Sequence, residues 1–225
     1  MRMRRKARLD ERVAACREDG RLLVLNVDDR HFQRAVEAKE YLDFEKLFGN
    51  KNPVVLEIGA GKGQFCCTLA KNFPEINILA VEKSSNVIVD AAEKAISLDL
   101  KNCLLVRCDA EYLERYIPEG SVSRIYLNFS CPFPKRSYAS HRLTHRRFLE
   151  VYKKLLAPGG EIHQKTDNRE FFEFSLCEFS QSGYILKNVS LDLHASDFEG
   201  NIVTEYEQRF TDMGLPIYRL EAFPG

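Results

Sequence analysis

No apolar run in this 225-residue chain is longer than a β-strand. That is far short of the roughly 20 residues of a membrane-spanning helix, so no membrane association is expected. The chain has no Pro/Gly/Ser-rich linker, which leaves length for one substantial core. It has no CxxC pair among seven cysteines (Cys16, Cys66, Cys67, Cys103, Cys108, Cys131 and Cys177). An odd count without that spacing argues against a disulfide framework and a zinc ribbon. Adjacent Cys66 and Cys67 on a helix are ill placed to share one metal tetrahedron, so six of the seven read as buried small hydrophobes in a reducing cytosol, and no metal is expected. The basic start, Met1-Arg2-Met3-Arg4-Arg5-Lys6-Ala7-Arg8, runs into Leu9-Asp10-Glu11-Arg12 rather than an apolar stretch, which argues against a secretory signal. Net charge is also missing, since 33 Lys and Arg balance 33 Asp and Glu.

The charge is unevenly distributed. Residues 1–8 carry five Arg/Lys and no acid, residues 132–154 seven Arg/Lys against one Glu, and residues 191–207 five acids and no Lys or Arg. A basic face beside an acidic pocket suits gripping phosphates while reading a base; a solvated helix face explains the counts equally well.

From residue 53 onward strand and helix signals alternate, which predicts an α/β fold with a parallel, doubly wound sheet. The expected strands are 53–58, 76–82, 103–108, 124–129 and 161–166, with C-terminal strands at 185–191 and 203–210 and an edge segment at 217–220. Helices are expected near 64–72, after Ser84 or Ser85, after Asp109, with Leu143, Phe148, Val151, Tyr152, Leu155 and Leu156 on the apolar side of the next, and over 169–181. The aromatics Phe171, Phe172, Phe174 and Phe179 of the last helix read as core. Residues 1–50 are expected to form a basic, mainly helical extension ahead of a domain spanning 51–225.

Five predicted strands end on polar residues: Glu57, Glu82, Asp109, Cys131 and Asp167. Ligands of doubly wound folds bind outside the carboxyl ends of the strands. The first strand runs into Gly59-Ala60-Gly61-Lys62-Gly63, a turn whose glycines let backbone approach a ligand. Its spacing is G-x-G-x-G, not the G-x-G-x-x-G that seats a pyrophosphate on a helix N-terminus. Glu57, two residues ahead of it, would repel a diphosphate and attract a cation. S-adenosylmethionine fits, with an ammonium and a sulfonium and no phosphate. Glu57 then lies near its methionine end, Glu82 on the ribose hydroxyls and Asp109 near the adenine. Cys131-Pro132-Phe133-Pro134-Lys135 follows strand four. Its two prolines each fix their own φ and restrict the residue before, making a stiff loop suited to hold a planar acceptor. Phe133 is a stacking candidate, or equally a hydrophobic plug. Lys135 is a phosphate contact. His163 and His194 read as structural.

Glu-Ile-Gly-x-Gly-Lys-Gly, Val-Glu-Lys, Ile-Tyr-Leu-Asn-Phe-Ser-x-Pro-x-Pro-Lys, Pro-Gly-Gly-Glu-Ile-His-x-Lys-Thr-Asp-Asn and Thr-Glu-Tyr-Glu together resemble the bacterial tRNA (guanine-N7-)-methyltransferases. The resemblance covers nearly the whole chain. It implies a Rossmann-like class I methyltransferase fold with an antiparallel C-terminal strand, S-adenosyl-L-methionine as donor, and the guanine at position 46 of the tRNA variable loop as acceptor. It further implies a cytoplasmic protein, monomer or homodimer. Glu57, Gly59, Gly61, Gly63, Glu82 and Asp109 fall on cofactor positions, and Lys135, Asp167, Thr204, Glu205, Tyr206 and Glu207 on substrate positions. Two departures stand out. Cys131 and Phe133 occur where the family usually has Asp and Trp, and Lys6-Ala7-Arg8 replaces Lys-Pro-Trp. Cys131 thus occupies the catalytic, donor-proximal position. An active enzyme, and an impaired paralogue that binds tRNA and donor without efficient turnover, both remain open on these residues.

Overall fold

Val54, Val55, Leu56, Glu57 and Ile58 are buried without exception, the uninterrupted pattern of a parallel strand covered on both faces. The computed structural model that shows this describes residues 4–25 and 32–225. It divides into two compact units, Met1–Pro118 and Glu119–Gly225.

The first unit runs α1 (Leu9–Glu18), β1 (Leu22–Val24), α2 (Phe32–Glu37), α3 (Phe44–Phe48), β2 (Val54–Ile58), α4 (Gln64–Asn72), β3 (Asn77–Glu82), α5 (Ser85–Ser97), β4 (Cys103–Arg107), a 3₁₀ turn (Ala110–Tyr112) and α6 (Leu113–Tyr116). Its strands lie in the order β1-β4-β3-β2, all parallel. The register Glu57↔Ala80 and Val81↔Val106 brings the ends of β2, β3 and β4 level. Asn102 fixes where α4 stops: its amide donates to the carbonyls of Ala70, Phe73 and Ile76 at 3.0, 3.2 and 3.0 Å, collecting acceptors that a helix end leaves unpaired. The strand β1, inside residues 1–50, was not expected there.

The basic start is held against α5. Lys6 pairs with Asp90, and Arg12 pairs with Asp90 at 2.9 Å and Glu93 at 2.6 Å. Asn86 accepts from the Lys6 amide at 3.0 Å and donates to the Arg4 carbonyl at 2.9 Å. Burial alone would raise the Asp90 carboxyl, but the bonds from Lys6 and Arg12 keep it below its ordinary value. Arg5 and Arg8 are paired as well, with Asp10 and Glu11. Much of the local basic charge is thus neutralised within the fold. Arg2 lies outside the described residues.

The second unit runs β5 (Val122–Asn128), a 3₁₀ segment (Arg136–His141), α7 (Arg146–Leu155), β6 (Leu156–Thr166), α8 (Arg169–Gln181), β7 (Tyr184–Ser190), α9 (Glu205–Asp212) and β8 (Tyr218–Pro224). The order is β5-β6-β8-β7. β5 and β6 are parallel, and β8 is antiparallel to both its neighbours. Asn168 caps α8, accepting from the Phe171 amide at 2.8 Å. Phe171, Phe172 and Phe179 are core residues. Phe174 is half-buried, with the Arg142 guanidinium 4.3 Å from its ring centre.

Three expectations are corrected here. Residues 203–210 do not form a strand; Glu205–Asp212 is a helix opened by a complete capping box, with Thr204 accepting from the Glu207 amide and Glu207 reaching back to the Thr204 amide. Val, Thr, Tyr and Phe favour strands in the abstract, but here the spacing Thr-x-x-Glu decides. The segment 217–220 belongs to β8, which lies inside the sheet rather than at its edge. Cys177 is exposed along with Cys131, so five cysteines, not six, are buried. Among the described residues no helix is long and apolar enough to cross a membrane.

Candidate active site

The first unit presents its polar strand ends around the glycine-rich turn. Gly59 and Gly61 have φ of 84° and 57°, and a Cβ added at either would meet nothing within 4 Å. The turn is therefore an open cradle rather than a packed one. Gly63 is different: φ is 76°, and a Cβ would come within 2.6 Å of the Ala91 Cβ on α5. Only glycine lets α4 begin this close to α5. The amides of Gly59 and Ala60 both donate to the Val81 carbonyl, at 2.8 and 3.0 Å, which ties the turn to the end of β3. Glu57 is buried at the end of β2 with 2% exposure. Glu82 ends β3 half-buried, one carboxylate oxygen fixed by the Ser84 amide at 2.9 Å. Asp109 follows β4, half-buried, and accepts from the Glu111 amide at 3.2 Å. Two fixed carboxylates and one buried one around an open glycine turn suit a cationic ligand that carries hydroxyls.

The second unit carries the proline-bracketed loop. Phe129 and Phe133 both have positive φ, 50° and 41°, a conformation that costs a bulky residue on the order of 1–3 kcal/mol. Each is held in place. The Phe129 amide donates to the Lys165 carbonyl at 2.8 Å, and its ring stacks on Phe210 with centroids 6.4 Å apart. The Phe133 carbonyl accepts from the Arg142 guanidinium at 3.0 Å, and its ring lies 5.7 Å from that of His141. The loop is thus preformed, with Cys131 exposed on it and Lys135 exposed at its end. Asp167, after β6, is half-buried, and burial raises its carboxyl above the ordinary value against the opposing pull of its own backbone amide.

Four residues of the segment Thr204–Glu207 separate into two roles. Glu205 and Tyr206 are exposed, whereas Thr204 and Glu207 are buried in the cap. Glu207, at 0% exposure, takes the Lys165 ammonium at 2.6 Å, the Asn201 amide at 2.5 Å and the His194 ring at 3.2 Å. Lys165 also donates to Asn201 and to the Ile202 carbonyl, each at 2.9 Å. The geometry gives Glu207 the task of ordering residues 201–207 and leaves Glu205 and Tyr206 exposed. Lys165 and Asn201 were missed in the sequence; a lysine two residues before a strand's polar end was the available signal.

A model of the family described as "Putative methyltransferase" matches residues 51–220. A tRNA (guanine-N(7)-)-methyltransferase of Listeria monocytogenes is 52% identical over 179 residues, 80% of this chain and 84% of that protein. One from a Geobacillus strain is 51% identical over 178 residues, 79% and 81% of the two chains. This chain belongs to the tRNA (guanine-N(7)-)-methyltransferase family.

Solved structures agree on the fold alone. The 16S rRNA methyltransferase KamB superposes with a TM-score of 0.61 at 17% identity, covering 83% of this chain and 96% of KamB. A SAM-dependent methyltransferase from Aquifex aeolicus gives 0.54 at 18% identity, covering 79% and 85%. S-adenosyl-L-methionine is the donor of this methyltransferase, and the open cradle at Gly59 and Gly61 with carboxylates at three strand ends fits it. Cys131, which the resemblance sets at the family's Asp position, is exposed.

One cluster expected to be simply structural is more elaborate. Glu161, His163 and Glu221 bring a ligand atom each within 4.8 Å of one another. Arg124 already pairs with Glu161, and Arg219 with Glu221. With two guanidinium groups on its carboxylates, this methyltransferase has an ion-pair network there rather than a cation site. Burial lowers the His163 imidazole below its usual value, against the pull of Glu161, so it stays neutral near pH 7.

Proposed function

We propose that this methyltransferase transfers the methyl group to N7 of the variable-loop guanine at position 46 of tRNA, in the cytoplasm. The observation that carries the reading is the open glycine cradle flanked by Glu57, Glu82 and Asp109, in a chain 52% identical to a named guanine-N7 enzyme over 179 residues.

When bound, S-adenosylmethionine supplies an electrophilic methyl on a sulfonium. Guanine N7 has an in-plane lone pair and no proton, so the chain needs no general base before attack. What it must provide is alignment, and stabilisation of the positive charge that passes to the purine. Glu57, a carboxylate at the end of β2, favours the cationic donor. Glu82, its orientation set by the Ser84 amide, suits the ribose hydroxyls, and Asp109 the adenine side. On the acceptor side, Phe133 offers a face for stacking, Lys135 a phosphate contact, and Asp167, Glu205 and Tyr206 hydrogen bonds to the guanine edge. Lys165, Asn201, Thr204 and Glu207 position that segment. Cys131 stands where a carboxylate would accept hydrogen bonds from guanine or fix the donor; a thiol is a weaker acceptor, which slows the reaction without removing its other parts.

Purified protein with isotopically labelled donor and unmodified tRNA tests this. N7-methylguanosine at position 46 is expected. Calorimetric heat for donor and tRNA with no methylated product would instead make the chain a binding protein.

A further inference from the structure

Three of the buried cysteines converge. The Sγ atoms of Cys66 and Cys67 on α4 and Cys103 on β4 all lie within 4.8 Å of one another, and the three residues are 0%, 2% and 1% exposed. Tetrahedral geometry is hard to reach from adjacent helix positions, but the third thiol here comes from a strand, and a three-coordinate, pyramidal centre asks less of the pair. In a pyramidal centre, bonds of about 2.3 Å, as in zinc thiolates, put the three sulfurs about 3.5 Å apart. From separations within 4.8 Å, the cluster has to contract by at most about 1.3 Å.

Charge selects the occupant. A buried net charge is costly unless it is compensated. Three thiolates around a monovalent copper ion leave two negative charges, and around zinc one, while zinc also prefers a fourth ligand. A trivalent centre with three thiolates is neutral. We propose that Cys66, Cys67 and Cys103 form a capture site for trivalent arsenic. The reaction balances without an oxidant: arsenous acid carries three hydroxyl groups, each As–O bond is replaced by an As–S bond, and each thiol proton leaves with a hydroxide as water. Loss of a proton from one of the three thiols supplies the nucleophile that starts the exchange. The site adjoins the glycine-rich turn, since the Cys66 Sγ is 3.5 Å from the Gly63 carbonyl oxygen and the Cys67 Sγ 4.0 Å from that of Ala91. An occupied site would tie the turn, α4 and β4 together.

The test uses the full chain, reduced and freed of thiol, treated with arsenous acid and desalted. Native mass spectrometry should show a gain of one arsenic less three hydrogens, and alkylation under denaturing conditions should find three of the seven thiols protected. Cys103→Ala and Cys67→Ala should each lose the adduct, while Cys177→Ser keeps it. A variant-free check is a digest at low pH, in which the peptides holding Cys66-Cys67 and Cys103 should co-elute with arsenic. No adduct on the native chain, an adduct that survives Cys103→Ala in a folded variant, or arsenic on other peptides would each overturn the proposal.

Discussion

Lys165→Met removes the ammonium group that orders residues 201–207 while keeping most of the side-chain volume. Lys165 is 7% exposed and its partner Glu207 is not exposed at all, so the variant leaves a buried carboxylate without its main counter-charge. Breaking such a pair from one side costs about 3–5 kcal/mol. The Asn201 side-chain oxygen and the Ile202 carbonyl also lose a donor, each at about 1–3 kcal/mol if no replacement is found. These terms do not add, because Asn201 can rotate and the His194 ring, 3.2 Å from Glu207, retains part of the carboxylate's hydrogen bonding. A net loss of about 3 kcal/mol is expected. It should appear first as local unfolding: amide exchange in α9 should speed up by roughly 100-fold, at about 1.4 kcal/mol per decade. The paired variant Lys165→Met with Glu207→Gln should recover more than half of the loss, since no charge is then stranded and the amide oxygen still accepts from the Thr204 amide and Asn201. Methylation by Lys165→Met should fall mainly through a weaker KM for tRNA, because the donor residues are untouched. A destabilisation below about 1 kcal/mol, or a double variant no more stable than the single one, would refute the account of Lys165 and Glu207 as a mutually dependent pair.

Other outcomes follow from the same geometry. Cys131→Asp should raise the single-turnover rate on unmodified tRNA by roughly 10- to 100-fold, the worth of one charge-assisted contact of about 1.5–3 kcal/mol; because position 131 is exposed, the new carboxylate carries little burial cost, and a folded variant no faster than the parent would show that no acceptor is wanted there. Glu82→Ala should weaken donor binding in a calorimetric titration by at least about tenfold, and unchanged affinity would remove Glu82 from the donor site. The Glu178 carboxyl is held below its usual value by the hydrogen bonds of Arg146, against the upward push of burial. A depressed acid stabilises the fold above the ordinary glutamate range and loses that contribution as pH falls through the folded value. Glu178→Gln should therefore flatten the fall in melting temperature as pH drops below the ordinary glutamate value of 4.5, and an unaltered slope would place the acid sensitivity elsewhere.

Much of the structure around the glycine-rich turn was legible because its signals are local. The turn Gly59–Gly63, the acids that end successive strands and the apolar spacing of α5 sit within a few residues of the structure they specify. The acceptor side depends on contacts remote in the chain. Nothing near Lys165 announces Glu207, 42 positions away, and nothing near Val203 outweighs its strand-favouring neighbours except the spacing from Thr204 to Glu207. The placement of β8 inside the sheet is a pairing choice, which a strand pattern does not encode. The ion pairs of the basic start were illegible for a similar reason: its partners Asp90 and Glu93 lie about eighty residues on, beyond the reach of a charge count. Cys103 joins Cys66 and Cys67 only because α4 packs beside β4.

Phe129 and Phe133 make the acceptor loop the place where selection for stability and selection for catalysis part company. Either phenylalanine replaced by glycine would relax a left-handed backbone, and a screen for heat resistance would reward that relief wherever it exceeded the lost stacking. The same change would unpin Cys131 and the two prolines that follow it. A lineage under thermal pressure thus has a cheap stabilising step within reach that dulls the enzyme. Sorting variants on the two traits together, rather than on stability alone, would reveal that opposition.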